Sequence, residues 1–319
     1  MLYYNYRIMN DSIWTYVTPI KIPNTYFTLT GHSWAARNTS FYIPEMKIML
    51  DCGVEHEYIP DHVFITHGHC DHSKNIPNTI IQLSNWKLKQ QQKNKKVNIY
   101  APIEIAEYVK NYIGAFYVMS KNNPMHDAHT KYNLIPVEAN TRIKVNIRNT
   151  KYVVEIIKCF HTVPTVGYGF IEVRSHLKSE YKGLSRQELV AIKNTGIEIQ
   201  EEYEHPVFCY LGDTNEWVYT NKETSETLKK YPVIISECSF IDISQIEQAK
   251  KKKHIYIENI DEMIKNNLNK TFILYHFSDR YDEQELIDFF IKKGYSNVFP
   301  WVSIAKNKNA GLLPWQHYY

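Results

Sequence analysis

The run Phe64-Ile65-Thr66-His67-Gly68-His69-Cys70-Asp71-His72 places three imidazoles and a carboxylate within six positions. Neutral imidazole nitrogen and carboxylate oxygen are the ligands that suit zinc and related divalent ions. Side chains spaced this closely cannot converge from one helical face or one strand face, so the pattern predicts an irregular turn at a strand end. Phe64 and Ile65 close a short apolar run beginning near His62, which reads as that strand. A His-rich surface turn is the competing reading, and H-x-H-x-D-H after a strand weighs against it.

The same chemistry recurs at other predicted strand ends. Tyr152 to Phe160 delivers His161 to a turn running through Tyr168, and Val207 to Leu211 ends in Gly212-Asp213-Thr214. Val233 to Ser236 leads to Glu237, and Thr271 to Tyr275 releases His276-Phe277-Ser278-Asp279-Arg280-Tyr281. A strand over Met46 to Leu50 ends at Asp51-Cys52-Gly53, a turn whose Asp is positioned to orient a metal ligand. Ligands from several strand ends can surround a cavity at one edge of a sheet, and this set suffices for two ions. His67, His69 and His161 would share one, Asp71, His72 and His276 the other, and Asp213 would bridge. Two ions about 3.5–4 Å apart activate water and stabilise both oxygens of an in-line displacement at phosphorus, so a dinuclear hydrolase is the natural reading.

The elements between these points are predicted from periodicity and turn chemistry. Tyr26 to Thr30 reads as a strand, Gly31 to Asn38 as a polar loop, and Asn85 to Gln92 as a surface helix. Val97 to Ala101 is a strand, and Pro102 to Tyr112 starts a helix with Ile105, Val109 and Ile113 on one face. Ser120 to Thr130 reads as a loop with His126 and His129 in solvent. Residues 172–205, with Lys178, Lys182, Arg186 and Lys193 and a capping box from Ser185 to Glu188, read as an inserted arm. A last helix over Asp282 to Lys293 is stopped by Gly294.

Composition sets the bounds. A chain of 319 residues with 44% hydrophobic residues can bury a large core as one domain or two unequal ones. A formal net charge of +3 does not by itself announce a polyanion partner, so phosphate contacts would have to come from local patches. Lys93, Lys95, Lys96 and the run Lys250 to Lys253 are the candidates, against the plainer reading of a solvated face. Five dispersed cysteines without a C-x-x-C pair argue for a reducing compartment. Met1 to Ile13 lacks a basic start followed by an apolar run, so neither a secretory signal nor a membrane span is expected, and the location reads as intracellular, cytoplasmic or nuclear.

H-x-H-x-D-H, a strand-end His, G-D-T and a late His together resemble the metallo-β-lactamase superfamily. Within it, Phe160-His161-Thr162-Val163-Pro164-Thr165-Val166-Gly167-Tyr168 and His276-Phe277-Ser278-Asp279-Arg280-Tyr281 resemble the tRNase Z (ribonuclease Z) family. The stretch Leu177 to Ser185, continuing through Gly196-Ile197-Glu198-Ile199, is similar to its short, plant-type members. The resemblance implies an α/β fold, a four-layer αβ/βα sandwich in a single domain over 1–319, with 172–205 as an exosite gripping tRNA. It implies two zinc ions per subunit, with manganese or iron as alternatives, in a homodimeric endonuclease that removes the 3′ trailer of precursor tRNA. It also implies that Glu237 supports His254 as proton donor to the leaving 3′ oxygen, and that Asp71 acts on the attacking water. Arg37, Asn38, Ser278, Arg280, Lys178 and Lys182 would then meet substrate. Three departures stand out. Ser33-Trp34-Ala35-Ala36-Arg37-Asn38 lacks the Pro and Lys of P-x-K-x-R-N, Ser236-Glu237-Cys238-Ser239 replaces H-E-A-T, and Ile255-Tyr256 follows His254. The ligand set alone would also serve a small-molecule phosphodiesterase or a thioesterase, and a non-catalytic RNA-binding relative is a third reading.

Overall fold

The structure is a computed structural model that describes Trp14, residues 17–90 and residues 95–302. Lys93, the Met1 to Ile13 stretch, Gln91, Gln92 and the tail from residue 303 lie outside the described residues. The first sheet carries, in spatial order, β1 (Ile20–Lys21), β2 (Thr28–Trp34), β3 (Asn38–Ile43), β4 (Ile48–Leu50), β5 (His62–Phe64), β6 (Val97–Pro102) and β7 (Tyr132–Val137). The second carries β8 (Arg142–Ile147), β9 (Thr150–Lys158), β10 (Val166–Leu177), β11 (Gln200–Tyr210), β12 (Val233–Glu237), β13 (Thr271–Tyr275) and β14 (Val298–Pro300). Each sheet is antiparallel through its first four strands and parallel through its last four.

Burial follows that plan. The central parallel strands β12 and β13 are apolar nearly throughout because both of their faces are covered. Phe41, Phe64 and Tyr100 from the first sheet meet Tyr168, Phe170, Phe208, Tyr210 and Tyr275 from the second in a core between the sheets. A separate cluster packs the outer face of each sheet against helices, such as Ile103–Lys121 on the first and Glu283–Lys293 on the second. Helix, sheet, sheet and helix make the four layers expected of the α/β sandwich.

Several local expectations need correction. Gly31 to Asn38 is not a polar loop: β2 runs to Trp34 and β3 starts at Asn38, leaving a turn over residues 35–37. Its polar residues are buried because they satisfy one another, as Ser33 Oγ and Thr39 Oγ1 do at 2.9 Å. Asp71 and His72 do not sit in irregular chain but on a short helix, Cys70–Ser73. The helix expected from Asn85 begins at Ile76, and the one expected to Tyr112 continues to Lys121, because apolar positions recur at Ala106, Val109, Ile113 and Tyr117. Between Ser120 and Thr130 lies a helical turn, Met125–His129, in which His126 is exposed while His129 is half-buried beside Tyr132. The late helix is as expected, with Asp282 Oδ1 accepting from Glu285 N and Gly294 taking a left-handed φ of 65°.

Residues 172–205 form a projection of the second sheet. β10 and β11 stay paired out to Leu177 and Gln200, beyond the point where their residues are covered. The helix Arg186–Asn194 at its tip has both bonds of the capping box between Ser185 and Glu188, and buries none of its residues.

Candidate metal centre and its cleft

The loop after β5 is held by a carboxylate at the end of β4. Asp51, fully buried and at a left-handed φ of 56°, accepts hydrogen bonds from four donors. These are Thr66 N at 2.8 Å, Thr66 Oγ1 at 2.9 Å, Tyr210 Oη at 2.7 Å and His72 Nδ1 at 2.8 Å. The Thr66 hydroxyl, having donated to Asp51, accepts from His67 Nδ1 at 3.0 Å. Gly53 is required here, since a Cβ on it would stand 1.6 Å from the carbonyl oxygen of Asp71. Only bare backbone lets the Cys70–Ser73 helix approach so closely.

A second carboxylate does the corresponding work from β12. Glu237 Oε1 accepts from His254 Nδ1 at 2.8 Å, Thr214 N at 3.1 Å and Ile255 N at 3.3 Å. Its Oε2 accepts from Ser239 N at 2.9 Å and Ser239 Oγ at 3.0 Å, and that hydroxyl in turn accepts from His276 Nδ1 at 3.1 Å. His276 follows β13 at a left-handed φ of 65°, a strained conformation for a residue with a Cβ. His161 donates from Nδ1 to the Lys253 carbonyl at 3.1 Å.

With Nδ1 committed, His67, His72, His161 and His276 each present Nε2 to a common space, which is how neighbouring groups orient metal-ligating imidazoles. Ligand-type atoms of His67, His69, His161 and Asp213 lie within 4.8 Å of one another, as do those of Asp71, His72 and His276. A third such group joins Asp213, His254 and His276. His72 Nε2 is 3.2 Å from His276 Nε2 across buried space, and the two nitrogens lie 3.3 and 3.4 Å from Asp213 oxygens, so the two sets abut.

The donor set fits divalent cations. His67 Nε2 and Asp213 Oδ1 are buried without a hydrogen-bond partner, an arrangement that costs free energy unless a cation completes it. Burial holds His67 well below the usual imidazole range and lowers His69 and His161, leaving neutral lone pairs. Burial would also depress His72, but Asp213 and Asp51 outweigh it and lift that imidazole to about 10. Asp71 and Asp213 stay ionised: burial opposes this, and the surrounding histidines prevail. Negative charge packed against imidazoles favours a cation at this point.

The cluster opens into a cleft of about 610 Å³. Asp71, His69, His161, Asp213, His254 and His276 line it, together with Ser278, Arg280, Lys251 and Lys252. The Ala35-Ala36 turn forms part of its wall, with Ala36 N donating to Asp71 Oδ2 at 3.0 Å. Of the expected substrate contacts, Ser278 and Arg280 reach the cleft. Arg37 instead pairs with Asp279 at 2.7 Å, Asn38 lies within β3, and Lys178 and Lys182 lie on the projection. Ser239 and Tyr210 were not anticipated. Ser236-Glu237-Cys238-Ser239 offered a signal for the first, but nothing near Tyr210 marks it as a partner of Asp51.

Residues 55–277, well over half the chain, match the β-lactamase superfamily domain. The chain belongs to the β-lactamase superfamily. Among curated relatives, it is 28% identical over 265 residues to the tRNase Z TRZ1 of Arabidopsis thaliana, covering 82% of this chain and 89% of that protein. It is 26% identical over 247 residues to the ribonuclease Z of Methanococcus maripaludis, covering 70% and 71%. Among solved structures, the metallo-β-lactamase fold protein YhfI of Bacillus subtilis aligns at a TM-score of 0.52 and 13% identity over 88% of this chain and 89% of that one. That likeness supports the superfamily fold. No helix among the described residues is long and apolar enough to cross a membrane.

Proposed function

We propose that this chain is a metal-dependent endoribonuclease of the tRNase Z type, which hydrolyses precursor tRNA to remove its 3′ trailer and leaves a 3′-hydroxyl on the tRNA. The observation that carries this reading is the Glu237–His254 pair, set against the His/Asp cluster in one cleft. Two divalent cations, one held by His67, His69 and His161, the other by Asp71, His72 and His276 with Asp213 shared, would activate water and neutralise phosphoryl charge. Zinc suits these nitrogen and oxygen donors, and manganese or iron are the alternatives.

The chain's own residues supply the rest. Burial lowers His254, but Glu237, by charge and hydrogen bond, lifts it to about 9, so it carries a proton at neutral pH. A departing 3′ alkoxide needs that proton. A thiolate, with an ordinary pKa near 8.5, does not, so the pair favours an oxygen ester over a thioester. Asp71, ionised at the cleft wall, takes the proton of the attacking water. Ser278 and Arg280 lie where phosphate oxygens would be met.

The projection at 172–205 is read as the grip on tRNA. Its lysines do not line the cleft of their own chain, which suits a homodimer in which each arm serves the partner's cleft. The intracellular reading rests on cysteines that are all unpaired. The test compares kcat/KM on a precursor tRNA, a small phosphodiester and a thioester. The proposal expects the precursor to be strongly preferred and the thioester inert; thioester turnover exceeding the others would overturn it.

A further inference from the structure

We propose that Lys251 and Lys252 hold backbone phosphates on the tRNA side of the cut, just 5′ of the scissile bond. This rests on the ribonuclease reading and goes beyond it by assigning one wall of the cleft to one side of the substrate.

The helix Ile246–Lys252 ends in three lysines, and Lys253 follows. Two of the four are occupied. Lys250 pairs with Glu247 at 2.9 Å, and Lys253 donates to the His161 carbonyl at 3.2 Å. Lys253 also takes a left-handed φ of 54°, which turns the chain so that His254 enters the cleft. Lys251 and Lys252 line that cleft, exposed, with no carboxylate partner among the described residues. The acidic groups near them are engaged elsewhere: Asp279 with Arg37, and Asp71 and Asp213 among the histidines. Cations in a helix's last turn ordinarily favour its dipole. That accounts for their charge but not for two unpaired ammonium groups facing the place where a phosphodiester is cut.

Chemistry fixes the side. Hydrolysis that leaves a 3′-hydroxyl on tRNA makes the tRNA's terminal 3′ oxygen the proton acceptor, so His254 stands at the tRNA side of the bond. Lys251 and Lys252, two and three residues earlier on the same wall, therefore flank the acceptor end, and the trailer lies beyond the cut. Ammonium groups there neutralise phosphates without reading bases, as suits an enzyme that must accept many tRNAs.

The test is the Lys251→Ala/Lys252→Ala double variant in the full chain, loaded with metal. Precursor tRNAs with a single-nucleotide trailer and with a long one should lose the same factor in kcat/KM, about 10- to 100-fold. Hydrolysis of a small phosphodiester and the melting temperature should not change. The slope of log affinity against log salt should fall by about 1 to 2, and the Lys251→Arg/Lys252→Arg variant should restore it. Loss confined to the long trailer would overturn the assignment by moving the lysines to the other side. Equal loss on the small diester, or a lower melting temperature, would overturn it in favour of helix capping. A double variant that matches the unsubstituted chain on precursor tRNA would refute this inference alone. An unsubstituted chain that cuts no precursor tRNA would refute the ribonuclease reading, and the assignment with it.

Discussion

Asp51 and Glu237 are both buried carboxylates, one following β4 of the first sheet and the other closing β12 of the second, and each gathers donors from distant segments. Asp51 binds Thr66, Tyr210 and the Nδ1 of His72, whose ring is wholly buried. Glu237 binds Thr214, Ser239 and the Nδ1 of His254, whose side chain keeps 14% of its surface open to the cleft. The same device thus serves two ends. In the proposed reading, an imidazole held by a carboxylate and sealed among other ligands has its Nε2 fixed toward the cation site, where a bound cation would take the place of its proton. One held the same way but facing solvent keeps its proton and can give it away.

The largest expected effect removes what both halves share. Asp213→Ala should abolish metal-dependent hydrolysis and lower the bound metal content, read by elemental analysis; near-unchanged turnover would break the dinuclear account. Next, His254→Ala should cost about 10²- to 10⁴-fold in kcat while metal content stays intact. Glu237→Gln sharpens the contrast through pH. His254 at about 9 is protonated below that value and loses its proton above it, so activity should fall on the alkaline side. Removing the Glu237 charge lowers that pKa, and the alkaline limb of kcat should move to lower pH. Asp51→Asn should behave differently, weakening metal affinity about 10- to 100-fold in a metal titration and leaving the alkaline limb in place. If Asp51→Asn moved the limb and Glu237→Gln left it in place, the division of labour would be reversed. The smallest effect lies on the projection, where Ser185→Ala should cost the tip helix about 1 kcal/mol of local stability, seen as faster amide exchange there.

The two halves also differed in how far they could be read from sequence. His67 to His72 is legible because its ligand types are contiguous. His161, Asp213 and His276 are legible because each follows an apolar run: His276 follows a parallel strand buried on both faces, and His161 follows the antiparallel β9, which is buried on both faces from Tyr152 to Ile157. Asp51 could be suspected from its turn, but its bond to Tyr210 spans 159 residues and leaves no local trace. Gly31 to Asn38 was misjudged because polarity signals a loop only when the polar groups lack partners, and Ser33 and Thr39 bond to each other. The Cys70–Ser73 helix was hidden because its four residues are too few to show a period.

The most direct measurement is cleavage of an end-labelled precursor tRNA by the metal-loaded chain, with products sized to the nucleotide and their ends identified. The account predicts one cut at the base of the trailer, a 3′-hydroxyl on the tRNA, and no cut after chelation. Cleavage that leaves a 3′-phosphate, or that persists without metal, would contradict it.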